Sequence, residues 1–230
     1  MPRYRCLVLD HDDTVVQTER SIGYPYFLQY LQKIRPGAEL SFQQYVLDCQ
    51  NMLFPDMCRE KWGFTDEEQK AEYAGWQEYC RSHIPPIFPG IDRIIRRQKK
   101  EGGLVCVASL SSLSNITRDY EKHLGFLPDA IYHNDLPRPQ RKPNPWPLLD
   151  LMEKFGLKPE EVLMVDDMKL GWSMAAECGV DTAFAAWSRQ EFPELMTEMK
   201  EICTFSFDTI EEFEEFLFKW YDTLDRRVIM

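Results

Sequence analysis

Apolar positions fall into short continuous runs separated by amphipathic stretches. "RYRCLVL" at 3–9 reads as a strand entering a core. "LVCVAS" (104–109), "AIYH" (130–133), "EVLMVDD" (161–167), "TAFAAW" (182–187) and "TFSF" (204–207) read the same way. Between them lie stretches with helical spacing: "IDRIIRRQKKEGG", "SNITRDYEKHLGF", "PWPLLDLMEKFGL" and "LGWSMAAECGV". A last helix over 209–224 sets Ile210, Phe213, Leu217 and Trp220 on one face and its glutamates mostly elsewhere. Strands alternating with helices predict an α/β fold, a doubly wound, open and mostly parallel sheet with helices on both faces.

Residues 17–86 break that alternation. From Ser21 to His83 the pattern is helical throughout, and "SIGYPYFLQYLQKI" is rich in aromatics. "TDEEQKAEYAGWQEYCRSH" opens with Thr65 as a cap and acids in the first turn. "IPPIFPG" (84–90) then interrupts the chain with three prolines and a glycine. The expected organisation is a core of residues 1–16 and 87–230 carrying a helical insert, 17–86. The proline break and the Gln17–Glu19 junction are candidate hinges.

Composition narrows the function. The 230 residues are 44% hydrophobic, enough for a sizeable core, and the formal charge of −11 argues against a nucleic-acid surface. No apolar run reaches the roughly 18 residues of a membrane span. Seven scattered cysteines without an export signal predict reduced thiols in the cytoplasm.

The chemistry-bearing residues gather at strand ends, where open α/β sheets bind ligands. "LVLDHDDTVV" places Asp10, Asp12 and Asp13 just past an apolar run. If the extended backbone persists, Asp10 and Asp12 leave on one side, so one carboxylate can attack while the other moves a proton. The alternative is a capped turn. Ser109 suits a phosphate oxygen or a plain N-cap. Lys142, in "RPQRKPNPWP", suits an anion or a surface loop, with Arg138 and Arg141 as rival cations. Asp166 and Asp167 suit a hard cation such as Mg²⁺, or a helix cap.

Together these segments resemble the haloacid dehalogenase (HAD) superfamily. "DHDDT" is similar to its DxDxT motif, "VCVAS" to its strand ending in Ser or Thr, "KPNP" to its Lys-Pro segment and "VLMVDD" to its final acidic motif. The insert after the first motif resembles the type-1 helical cap of the phosphoglycolate phosphatase and β-phosphoglucomutase branch. The resemblance implies a Rossmann-like core and a Mg²⁺-dependent phosphatase acting on a small phosphorylated metabolite. It implies Asp10 as nucleophile, Asp12 as general acid and base, and Ser109 and Lys142 as phosphate-binding residues. It implies a metal held by Asp10, Asp167 and the Asp12 backbone carbonyl, and a supporting role for Thr14. A phosphosugar mutase and a non-catalytic binding protein on the same scaffold are the alternatives. In the insert, Arg20, Tyr24 and Tyr30 are candidate substrate contacts.

Three positions depart from the family pattern. Asp13 stands where glycine is commonest. Met168 replaces a Ser or Thr. Gly171 stands where a further Asp is frequent, with Asp166 the nearest replacement for it.

Overall fold

The structure is a computed structural model. It describes residues 2–228, and the side chains of all of these except Asn51 and 220–228. The chain forms two compact units: Met1–Val16 with Ile87–Met230, and Gln17–Pro86.

The first unit is built on six parallel strands, β1 Cys6–Leu9, β2 Leu104–Ala108, β3 Ala130–Tyr132, β4 Val162–Asp166, β5 Asp181–Ala185 and β6 Phe205–Phe207. Their order across the sheet is β3-β2-β1-β4-β5-β6. This is the doubly wound α/β arrangement that the alternation of strands and helices predicts. β1 is central, fully buried, and pairs with β2 on one side and β4 on the other. The chain therefore reverses its winding direction at β1, and the crevice beyond the β1 and β4 ends is where such sheets place ligands.

Strand alternation divides the core in two. Leu7, Leu9, Val105, Val107, Leu163 and Val165 face one layer with Ile91, Ile94, Ile95, Ile116 and Phe213. Cys6, Val8, Cys106, Met164, Leu148, Leu151 and Met174 form the other. The helices that supply these faces are Ile91–Lys100, Leu113–Leu124, Trp146–Phe155, Lys169–Cys178 and Ile210–Val228. Trp220, expected on the apolar face of the last helix, lies outside the described side chains. Pro193–Ile202 is a further helix that the apolar pattern did not predict. β1 is shorter than the expected 3–9. No helix among the described residues is long and apolar enough to cross a membrane.

The 17–86 unit is helical. A π-helical turn, Glu19–Gly23, runs into Tyr24–Ile34, with Pro25 tolerated in its first turn. Phe42–Asn51, Phe54–Trp62 and Asp66–Ser82 follow. Thr65 does cap the last of these: its Oγ1 accepts from Glu68 N–H at 3.2 Å, and Glu68 accepts from Thr65 N–H at 2.9 Å. Phe27 packs against the rings of Tyr45, Phe54 and Phe64. Tyr24 and Tyr30 are half-buried and bonded inside this unit. Their hydroxyls donate to the carbonyls of Leu40 at 2.7 Å and Glu68 at 2.9 Å. The Arg20 guanidinium lies 4.1 Å from the centre of the Phe42 ring.

Glu72 is buried in this helical unit, and burial pushes its carboxyl up from 4.5 to about 7. The folded state therefore holds a proton there that the unfolded chain releases near its ordinary value. Stability from Glu72 is full below pH 4.5 and is lost as pH rises through about 7. The loss is on the order of 3 kcal/mol. Glu72→Gln should flatten the fall in thermal midpoint between these pH values. Parallel wild-type and variant profiles would show that Glu72 is not held protonated.

Candidate active site

The β1–β4 pairing sets the site. Leu9 lies opposite Val165, and the Asp10 amide donates to the Val165 carbonyl at 2.8 Å. This carries the pairing one residue past the strand and puts Asp10 beside Asp166 and Asp167. All three are buried, and one oxygen of each lies within 4.8 Å of the others.

Lys142 answers part of that charge. Its ammonium, 5% exposed, donates to Asp10 Oδ1 at 2.6 Å and to Asp166 Oδ2 at 2.7 Å. Arg138 is exposed, and the Arg141 guanidinium is tied to Asn134, so neither rival cation takes this place. Burial alone would lower the Lys142 pKa, but Asp10 and Asp166 outweigh it and raise it. Burial raises the Asp10 pKa. Lys142 opposes that rise, while Asp166, Asp167 and Asp12 add to it. Lys142 spans only two of these three acids, and a hard, oxygen-seeking cation suits carboxylate oxygens that converge in this way.

The loop after β1 is stitched in place. The His11 carbonyl accepts from the amides of Val15 and Val16, and the Asp13 amide donates to the Val16 carbonyl at 2.7 Å. Asp13 sits at φ +56°, a left-handed conformation, which is the physical reason for the family's glycine. The Thr14 hydroxyl donates to Asp167 Oδ1 at 3.1 Å. Asp12 is half-buried. Ser109 follows β2 and is 2% exposed; its Oγ accepts from the Ser111 amide at 3.1 Å. The sheet thus brings Asp10, Ser109, Asp166 and Asp167 to one edge, with Lys142 reaching in from the loop before Trp146–Phe155.

Two sequence expectations change. Asp166 is not an uncommitted replacement for an acid at 171. Its Oδ2 accepts from Lys142 and its Oδ1 from the Met168 amide at 2.9 Å. A Cβ at Gly171 would run into the Asp166 carboxylate, so glycine is what lets Asp166 reach Lys142. Met168 leaves the next helix without a side-chain cap, and Asp166 accepts from the Met168 amide itself.

Sequence reasoning missed two buried partners. His11 Nε2 lies 3.0 Å from Asp119 Oδ2, anchoring the loop to helix Leu113–Leu124. Arg189, just past β5, donates through Nε to Asp167 Oδ2 at 2.7 Å, and its Nη1 lies 2.8 Å from Asp13 Oδ2. A basic residue following a parallel strand was the only signal for it.

Residues 4–179 match the family model of haloacid dehalogenase-like hydrolases. The chain belongs to that family. Among solved structures, the HAD chain is similar to a predicted phosphoglycolate phosphatase from Haemophilus somnus. The identity is 17%, over 93% of this chain and 97% of that one, with a TM-score of 0.69. It is also similar to CbbY from Rhodobacter sphaeroides, crystallised with xylulose-1,5-bisphosphate. There the identity is 16%, over 90% and 95% of the two chains, and the TM-score is 0.70. A HAD-superfamily hydrolase from Ehrlichia chaffeensis is 16% identical over 94% and 97%, with a TM-score of 0.59. These likenesses show the fold. No curated protein matches.

Removing the ammonium alone leaves two buried carboxylates facing each other. Lys142→Met should therefore cost roughly 3–5 kcal/mol in urea unfolding. Adding Asp166→Asn should recover part of that loss. A double variant no more stable than Lys142→Met would show that the Asp10–Lys142–Asp166 contact carries little of the effect.

Proposed function

We propose that this HAD hydrolase is a Mg²⁺-dependent phosphatase. It hydrolyses a small phosphorylated metabolite through a phosphoryl group carried on Asp10. The observation that carries the reading is the Asp10 carboxylate held by Lys142 beside Asp166 and Asp167 at the sheet's ligand-binding edge. The donor set fits the metal: buried carboxylate oxygens converge, and Mg²⁺ commonly takes one or two carboxylates with water and phosphate. Asp10, Asp167 and the Asp12 carbonyl would hold it. When bound, it neutralises charge on the transferring group and on the carboxylates around it.

The chain's own groups do the rest. Asp10 attacks phosphorus; its bond to phosphorus forms as the bond to the leaving oxygen breaks. Asp12 gives that oxygen a proton. Asp12 then takes a proton from water, the water oxygen attacks phosphorus, and the Asp10–phosphorus bond breaks to release phosphate. Ser109 and Lys142 hold the phosphoryl oxygens. Lys142 also favours the ionised, nucleophilic form of Asp10 against the burial that opposes it. The 17–86 unit is the cap in this reading and selects the substrate.

Phosphate release from a panel of phosphorylated metabolites tests the proposal. Release should require Mg²⁺ and stop with a chelator. Asp10→Asn should retain less than about a hundredth of the rate, since acid–base help alone is worth about 10²–10⁴. A larger residual rate would exclude the covalent route. An isomerised phosphate ester in place of free phosphate would identify a mutase instead.

A further inference from the structure

Asp13 and Arg189 are a paired departure at the edge of the site. Asp13 occupies a left-handed position that suits glycine, and its carboxylate is buried. Arg189 comes from the far side of β4, beyond β5, and is 2% exposed. Its Nε and Nη2 both donate to Asp167 Oδ2, while its Nη1 faces Asp13 Oδ2. Thr14 holds the other Asp167 oxygen. The Asp167 carboxylate is thus fixed on both sides by this chain, and it shares the guanidinium charge with Asp13.

We propose that Arg189 is a positioning residue that sets the affinity of the site for its divalent cation. It fixes Asp167 and lowers the negative charge that Asp167 presents, while Asp13 draws part of the guanidinium charge away. The inference rests on the reading of Asp10 and Asp167 as metal ligands. Hydrogen-bonding partners of metal ligands commonly move metal affinity 10–100-fold. Those partners usually raise the ligand's basicity. A guanidinium does the reverse, since it both competes for the carboxylate and repels the cation.

The two members of the pair then have opposite effects. Arg189→Met removes the opposing charge and should tighten binding about tenfold. Asp13→Gly keeps the left-handed turn, because glycine accepts that φ without strain. It leaves the Arg189 charge wholly on Asp167 and should weaken binding by roughly threefold to tenfold. Arg189→Lys keeps the charge but loses the fork that spans Asp167 and Asp13, and should fall between wild type and Arg189→Met.

The experiment is titration of the full metal-free chain with Mn²⁺, read by calorimetry and by the spin-resonance signal of unbound Mn²⁺, with no substrate present. Opposite shifts for Arg189→Met and Asp13→Gly support the proposal; a merely structural role would not produce them. An unchanged or weaker affinity for Arg189→Met overturns it. If Arg189→Met does not fold, Asp13→Gly decides: weaker binding supports the proposal, and unchanged or tighter binding overturns it. Wild type that binds neither Mn²⁺ nor Mg²⁺ overturns both the metal reading and this inference. That failure shows in wild type alone, so it is distinguishable from a failure of Arg189's role.

Discussion

The Lys142 ammonium between Asp10 and Asp166 is the interaction on which the rest of the site depends. Two carboxylates buried side by side are costly to ionise, and each loses the solvation that would pay for its charge. The ammonium makes the arrangement tenable and, in the proposed mechanism, keeps Asp10 available as a nucleophile. It requires the β1–β4 register that sets Leu9 opposite Val165, and it requires a glycine at 171 beside Asp166. Sheet order, strand register, one glycine and one loop lysine therefore serve a single contact.

The site is not built for stability. Buried ion pairs often contribute less than packed apolar side chains of the same volume, because desolvation offsets much of the attraction. Here two buried cations, Lys142 and Arg189, divide the carboxylates between them. Lys142 takes Asp10 and Asp166; Arg189 takes Asp167 and Asp13. Asp10 and Asp167 thus belong to different cations yet lie in one cluster. In the proposed mechanism that division keeps Asp10 and Asp167 close together on separate cations, and phosphoryl transfer depends heavily on such positioning and charge neutralisation.

Much of this is legible in the sequence alone. Short apolar runs ending in polar residues located β1, β2 and β4, and with them Asp10, Ser109, Asp166 and Asp167 at one sheet edge. Spacing could not choose among Lys142, Arg138 and Arg141, because loop geometry decides which cation enters the core. Asp13 stood out only as an exception to glycine. Its partner Arg189 lies 176 positions on, in a segment with no periodicity, so long-range pairing hid the reason for the exception. Along the sequence Gly171 stands where the HAD pattern often has an acid; the close approach of the Asp166 carboxylate, invisible along the chain, makes it a spatial requirement. The hydroxyls of Tyr24 and Tyr30 donate to backbone carbonyls of distant segments, a tertiary pairing that spacing along the chain does not show.

The central claim is that Asp10, held ready by Lys142, carries the phosphoryl group. Acid-quenched turnover of a phosphomonoester in the presence of Mg²⁺, followed by peptide mass spectrometry, tests it most directly. The account predicts one added phosphoryl group on the peptide containing Asp10. That adduct should be lost on base treatment, as an acyl phosphate is, and absent from Asp10→Asn. Steady phosphate release with an unmodified Asp10 peptide, or a phosphoryl group found on another residue, would contradict it.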